Sequence, residues 1–133
     1  MSVVLSADPV RRRILATPAP GAGERHLVEA ILDGLARHPE WADWDWIYDE
    51  AGRFEDLSVD GMRSAASAFN AARSDGQAWS VVITTDRFFD AWRQVLDLSF
   101  EGRRHFAAAS LDAADQLLRR LRSPTDEGAA PAG

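Results

Sequence analysis

Two aspartates stand where short apolar runs end, and their carboxylates are placed for metal-binding or acid–base chemistry. Asp49 follows the run from Trp44 to Tyr48, and Asp86 ends the run that begins at Trp79. If both runs form neighbouring parallel strands, the carboxylates reach the carboxyl edge of the sheet, where α/β proteins bind ligands. Carboxylate oxygens of this kind suit Mg²⁺. The structural alternative, which we favour, is that Asp86 caps a helix and Asp49 opens a turn.

Ser58 is the candidate for a modified residue, a phosphoacceptor at the start of a helix. It precedes an apolar helical pattern with Asp60 in the first turn, which is typical of an N-cap. A phosphate at a helix N-terminus is stabilised by the exposed N–H groups and the helix dipole. Asp56 and Asp60 flank the serine and would repel that added charge. Ser58 is therefore either a phosphoacceptor or a plain N-cap.

An aromatic cluster lies near the middle of the chain, where three of the five tryptophans fall within six positions. Its members are Trp41, Trp44, Trp46 and the neighbouring Tyr48. Aromatic side chains line apolar ligand cavities and anchor partner surfaces. The alternative is that they pack in the core against the first and second helices, with Trp41 the most exposed of them.

Composition restricts the chemistry that this chain can perform. The 133 residues carry a net charge of −6, contain no cysteine, and have arginine at all fifteen basic positions. The acidic balance argues against nucleic-acid binding, which needs a basic face. Without lysine there is no Schiff-base or P-loop lysine chemistry. Without cysteine there is no thiolate nucleophile, disulfide or Cys-type zinc site.

The elements that position these residues follow from the period of the apolar pattern. Apolar runs predict strands over residues 2–5, 10–17 and 44–48, from residue 79, and over residues 104–109. A turn at residues 7–9 joins the first two strands into a hairpin. Apolar positions at helical spacing predict helices over residues 24–38, after Ser58, between Asp86 and Gly102, and after Ser110.

This order, ββαβαβαβα, predicts a single-domain α/β fold, a mixed sheet with an N-terminal β-hairpin and a parallel core. We expect residues 1–122 to form the domain and residues 123–133 to be a disordered tail. No apolar run is long enough to cross a bilayer, and the N-terminus lacks a signal-peptide pattern. We therefore expect a cytoplasmic protein without a transmembrane segment.

Several stretches resemble the SpoIIAA-like group of small bacterial domains, which is related to the STAS and CRAL-TRIO-like proteins. They are HPEW before an aromatic strand, LSVDGM, VVITTD before a helix with Trp92-Arg93, and SLDAADQLLRRL. The resemblance implies a STAS-like fold and covers nearly the whole chain before the tail. Some relatives are antagonists of anti-sigma factors that are switched by phosphorylation at the second main helix. Ser58 matches that position, although Asp56-Leu57-Ser58-Val59 replaces the family's Asp-Ser-Ser-Gly sequence.

Three functional hypotheses follow. The preferred one is a non-catalytic regulatory or protein-interaction domain that docks a protein partner through residues 56–69. A homodimer could form through an edge strand or the aromatic third helix. The alternative is a module that binds a small apolar ligand or lipid in an aromatic-lined cavity containing Trp44 or Trp46. The third is a carboxylate-dependent enzyme that uses Asp49 and Asp86. We assign no catalytic residue, metal or cofactor.

Overall fold

Ten regular elements follow one another in the computed structural model, which describes residues 3–49, 58–74 and 76–123. The order of strands and α-helices is the one that the apolar periodicity predicts, with a 3₁₀ helix added before the third strand. The elements are β1 (Val3–Asp8), β2 (Arg13–Pro18), α1 (Glu24–Arg37), the 3₁₀ helix (Pro39–Asp43), β3 (Asp45–Tyr48), α2 (Val59–Ala72), β4 (Ala78–Ile83), α3 (Phe88–Ser99), β5 (Arg103–Ala108) and α4 (Leu111–Arg122).

The described strands form one mixed sheet in the order β1-β2-β3-β4-β5. β1 pairs antiparallel with β2, and every later pair is parallel. The predicted N-terminal hairpin and parallel core are therefore confirmed. Each parallel pair joins strands that are consecutive in the chain and separated by a helical crossover, the connection that parallel pairing requires.

The hairpin turn lies further along the chain than predicted. Asp8 pairs with Arg13, so residues 9–12 form the turn and Val10 is 93% exposed rather than part of a strand. The Asp8 carboxylate accepts the Arg11 N–H at 3.2 Å, and Arg12 adopts a φ of 54°. These local contacts close the turn and exclude Val10 from the sheet.

Two layers of helices cover the sheet. Ile14 and Trp46 point to one face, where α1 and α2 pack, and Val82 and Phe89 join α3 to the same face. Ile47 points to the opposite face and packs with residues of α4. The helices α1, α2 and α3 each connect two consecutive parallel strands. Right-handed connections of this kind place all three helices on the same side of the sheet.

The helix starts agree with the sequence prediction at two serines and differ at Asp86. The hydroxyl oxygens of Ser58 and Ser110 accept N–H groups of the first turns of α2 and α4. Asp86 accepts the Phe88 N–H at 2.9 Å, but Arg87 separates it from the helix. The aspartate therefore closes the turn that leads into α3 rather than occupying the N-cap position.

Two other boundaries are corrected, because α3 ends at Ser99 and β5 begins at Arg103. The intervening turn contains Gly102 with a φ of 67°, a backbone conformation that favours glycine. The predicted disordered tail lies outside the described residues, apart from Ser123. Residues 50–57, which include Glu50 and Asp56, also lie outside them.

Candidate ligand-binding site

An apolar cavity of about 100 Å³ lies between helices α1, α2 and α3 and the sheet. Its floor is formed by side chains of three adjacent parallel strands, namely Tyr48, Val82 and His105. Its walls include Leu27, Ile31, Met62, Ala65, Leu96 and Phe100. The cavity is partly open to the surface, and the half-buried Glu24 is among its described lining residues. A concave apolar space with a few polar groups at its base is the usual form of a small-molecule site.

His105 is 4% exposed and is oriented by Asp97 of α3. One carboxylate oxygen of Asp97 accepts the backbone N–H of His105 at 2.8 Å and lies 3.0 Å from Nδ1. Burial lowers the pKa of His105 to about 4, although the hydrogen bond to Asp97 acts in the opposite direction. At neutral pH the imidazole is therefore neutral, and it donates its Nδ1 hydrogen to Asp97.

Tyr48 belongs to a second buried polar group that includes Ser80 and Arg103. The Arg103 guanidinium donates to Ser80 Oγ at 3.0 Å, and Ser80 is hydrogen-bonded to Tyr48. Burial raises the pKa of Tyr48 to about 12, against the smaller lowering effects of Arg103 and this hydrogen bond. Burial also lowers the pKa of Arg103 to about 10. At neutral pH the phenol is therefore neutral and the guanidinium is charged.

Arg103 is held by backbone carbonyls rather than by a directly bonded carboxylate in the described structure. It donates to the carbonyl oxygens of Ala42 at 2.9 Å and Trp79 at 3.1 Å, and also to that of Trp44. Its guanidinium lies 4.6 Å from the centre of the Phe69 ring. Carbonyl dipoles and an aromatic face therefore stabilise the buried cation.

Glu24 joins the N-terminus of α1 to that of α2 at the cavity mouth. Its carboxylate accepts the Ser58 N–H at 2.8 Å and the Ser58 hydroxyl at 2.7 Å. A Cβ added at Gly61 would lie 2.6 Å from this carboxyl group, so glycine permits its close approach. A phosphate on Ser58 would face Glu24 as well as Asp60 and would be repelled by both. The described contacts bear out the N-cap role and leave phosphorylation a prediction.

The three tryptophans of the predicted ligand or partner surface have different environments. Trp46 is 0% and Trp44 is 8% exposed, and both pack in the core with α1 and α2. Neither is among the described residues that line the cavity, whereas Tyr48 is. The ring centres of Tyr48 and Trp46 lie 5.9 Å apart. Trp41 is half-buried and stacks on His38 beside a shallow groove next to β1.

Asp49 and Asp86 follow β3 and β4, which are parallel as predicted and are also adjacent in the sheet. Asp49 donates its backbone N–H to the Ala16 carbonyl at 2.9 Å. Asp86 receives a hydrogen bond from Phe88, as described above. Within the described ranges, no group of three or more histidine and acidic side chains is arranged to hold a metal ion. The Asp86 carboxylate therefore closes a turn, whereas the Asp49 contact involves only its backbone, and a metal-binding or acid–base role of the two carboxylates stays a prediction.

The burial of Arg103 and His105 was not predicted from the sequence. Arg103 and His105 are two residues apart, so a strand directs both to the same face. Starting the strand at residue 104 left Arg103 outside it and concealed that relation. Arg103, Arg104 and His105 are three consecutive polar residues, so no alternation of polar and apolar residues marked Arg103 and His105 as buried.

The neutral, buried state of His105 predicts a pH dependence of stability. An unfolded histidine has a pKa of about 6.5, whereas that of His105 is lowered to about 4. Between these values the unfolded chain binds more protons, so the free energy of unfolding falls as the pH falls. Each pKa unit corresponds to about 1.4 kcal/mol, so the free energy of unfolding falls by about 3 kcal/mol between neutral pH and pH 4.

Urea denaturation followed by circular dichroism at pH values across this window measures the effect. His105→Gln should flatten the slope between about pH 6.5 and pH 4. His38→Gln is the matched control, because His38 is exposed, and should retain the slope. An unchanged slope in His105→Gln would contradict the assignment of a neutral buried imidazole.

No protein-family model, curated protein or solved structure matches this chain. The resemblance to the SpoIIAA-like group therefore remains a prediction. None of the helices in the described part of the chain is long and apolar enough to span a membrane.

Proposed function

We propose that this protein binds a small, largely apolar molecule in the cavity between α1, α2 and α3. The observation that carries the proposal is the cavity itself, with apolar walls and neutral polar groups at its base. This proposal corresponds to the hypothesis of a module that binds a small apolar ligand or lipid. The aromatic residue that lines the cavity is Tyr48 rather than Trp44 or Trp46.

The size of the cavity restricts the ligand. An apolar protein cavity of about 150 Å³ binds benzene, and this one is of about 100 Å³ with an open mouth. One aromatic ring, or a short alkyl chain, fills such a space and leaves any further substituent at the mouth. The contact area of such a ligand gives modest affinity, because the hydrophobic contribution scales with the apolar area removed from water.

The charge distribution also restricts the ligand. His105 and Tyr48 are neutral at physiological pH, and Arg103 is not among the described residues that line the cavity. The charged side chain among the described lining residues is Glu24, at the mouth. A charged group placed at the floor would lose its hydration without a direct countercharge. The buried part of the ligand is therefore uncharged.

Filling the cavity tests this proposal. Ala65 is 7% exposed and lines the cavity, so Ala65→Leu places a larger side chain in the ligand's position. We expect the affinity for toluene, measured by isothermal titration calorimetry, to fall by at least about tenfold, a difference of about 1.4 kcal/mol. The cause is steric exclusion, since the leucine occupies the space that the ring would fill.

Ser67→Leu is the matched control, because Ser67 is exposed on the same helix and does not line the cavity. It should bind toluene as the unmodified protein does. Thermal denaturation of both variants checks that each is folded. Equal toluene affinity in Ala65→Leu and Ser67→Leu would place binding elsewhere and overturn the proposal.

The regulatory hypothesis remains a separate prediction. Its docking surface spans residues 56–69, of which residues 56 and 57 lie outside the described ranges. It predicts a stoichiometric protein partner or a homodimer, and a pull-down from native cells that recovers no such partner would count against it. The SpoIIAA/STAS-like family and a cytoplasmic location belong to the same set of proposals.

A further inference from the structure

Helix α3 carries a second apolar face, which is directed to solvent. Its inner face packs in the core through Phe89 and Leu96. On its outer side, Phe88, Val95 and Leu98 are 51%, 40% and 88% exposed. No other helix in the described part of the chain exposes more than one large apolar side chain. Scattered single apolar residues are normal on a protein surface, whereas a contiguous apolar patch marks an interaction site.

The outer apolar residues of α3 have the spacing of a coiled-coil seam. Together with the exposed Ala91 they form a set that we call the α3 seam, namely Phe88, Ala91, Val95 and Leu98. Successive members are three, four and three residues apart, which is the heptad spacing through which two helices pack side by side. Arg93 does not interrupt the seam, because its guanidinium lies 5.0 Å from the centre of the Phe106 ring.

The α3 seam is complementary to itself when two copies of the helix run antiparallel. Its intervals read the same in both directions, so a two-fold axis at the level of Arg93 preserves them. Phe88 then lies opposite Leu98 of the second copy, and Ala91 lies opposite Val95 of the second copy. The small alanine permits close approach near the axis, and the larger side chains pair at both ends. Two-fold symmetry forms every such contact twice.

The charges at the ends of α3 favour the same antiparallel arrangement. Arg87 precedes the helix and Glu101 follows it, both are exposed, and their side chains form no ion pair with any described residue. Each charge is unfavourable beside the dipole of its own helix, which is positive at the N-terminus and negative at the C-terminus. In an antiparallel pair each charge lies beside the opposite end of the second helix. Arg87 then faces Glu101 of the second copy.

We propose that two copies of this protein associate through their α3 seams as an antiparallel, two-fold symmetric dimer. The helix has twelve residues, so the interface belongs to the small size class, and the dimer is weak and concentration-dependent. None of the four seam residues is among the described residues that line the cavity. The inference therefore goes beyond the proposed function and does not depend on it.

Sedimentation velocity over a concentration series from about 1 μM to about 1 mM, which covers weak association, tests the dimer. We expect the unmodified protein to pass from monomer to dimer within this range. Leu98→Glu should raise the dissociation constant by at least about tenfold, because the dimer would bury two carboxylates without partners. Val10→Glu is the matched control, since Val10 is 93% exposed in the hairpin turn, and it should dimerise as the unmodified protein does.

Charge reversal tests the antiparallel orientation. Arg87→Glu and Glu101→Arg each place like charges together at both ends of the interface, and each should raise the dissociation constant by about fivefold. The double variant forms the pairs again with exchanged signs and should return to within about twofold of the unmodified protein. Circular dichroism of every variant confirms that it is folded.

Three outcomes overturn the inference. The first is an unmodified protein that stays monomeric throughout the concentration series. The second is a dimer that tolerates Leu98→Glu as well as Val10→Glu, because its interface then lies elsewhere, for example at the edge strand β1. The third is a double charge reversal that restores nothing, which contradicts the antiparallel orientation. Toluene binding in the cavity is measured separately and is decided by none of these outcomes.

Discussion

Trp46→Ala is expected to lower the free energy of unfolding by about 4 kcal/mol, within the range of about 3–5 kcal/mol for large aromatic residues in cores. The side chain is 0% exposed, and its ring contacts that of Phe69 edge-on with ring centres 5.0 Å apart. Its indole N–H donates to the Trp41 carbonyl at 2.8 Å. The substitution removes this bond and leaves a cavity between the sheet and α2.

Denaturation of Trp46→Ala in urea decides between the two sequence interpretations of the aromatic cluster. Replacing a core tryptophan by alanine lowers the free energy of unfolding by the large amount stated above. Replacing a tryptophan that lines an open ligand or partner surface lowers it little. Trp41→Ala is the matched control from the same cluster, and its half-buried ring should cost less than half as much. A loss below about 1 kcal/mol for Trp46→Ala would contradict its position in the core.

Arg122→Ala is the second change with a large expected effect, a loss of about 3 kcal/mol at neutral pH. Arg122, the last residue of α4, donates to both carboxylate oxygens of Asp45 at 2.7 and 3.0 Å. Its guanidinium also lies 4.5 Å from the centre of the Trp79 ring. Asp45 is 2% exposed, so the substitution leaves a buried carboxylate that still accepts the Trp79 N–H at 3.1 Å but has lost both bonds to the guanidinium.

This loss of unfolding free energy lies near the lower end of the range of about 3–5 kcal/mol for breaking a buried ion pair, because the Arg122 side chain is 45% exposed. Asp45→Asn in the Arg122→Ala background should recover part of the stability, since it removes the unpaired charge. Arg119→Ala is the control on the same helix, and its exposed pair with Asp115 should contribute less than about 1 kcal/mol. Equal losses for Arg119→Ala and Arg122→Ala would contradict the account of α4 docking.

The helices, strands and their order could be predicted from sequence because these features depend on local patterns. The four-residue spacing of Leu27, Ile31 and Leu35 specifies one face of α1, and Ser58 and Ser110 mark helix starts by their capping chemistry. Strict alternation of strands with helices then predicts parallel pairing. The order of strands in the sheet was left open at that stage, since no local pattern specifies it.

The buried environment of Arg103 could not be predicted because its hydrogen bonds join residues that are far apart in the sequence. Arg103 is 61 residues from Ala42 and 59 from Trp44, the carbonyls to which it donates. A charged residue in a sequence is ordinarily exposed, and nothing in its neighbours indicates such partners. The Asp45–Arg122 pair spans 77 residues and was missed for the same reason.

The aromatic cluster shows the limit of residue type as a guide to function. Alternation in β3 correctly predicted that Trp46 and Tyr48 share a face. It could not distinguish Trp46, which packs under α2, from Tyr48, which borders the cavity, since both side chains lie on that face. Only the positions of α1, α2 and α3 over the sheet make Tyr48, rather than Trp46, the ring that lines the cavity.

The central claim is that the cavity between α1, α2 and α3 takes up a small apolar molecule. The most direct test is a toluene titration of the protein labelled with ¹³C at its methyl groups, followed by NMR. We predict saturable shifts at the methyl groups of Met62 and Ile31, which line the cavity, and none at Leu118, which is buried on the opposite face of the sheet. Shifts at Leu118 alone, or no saturable shift at Met62 and Ile31, would contradict the claim.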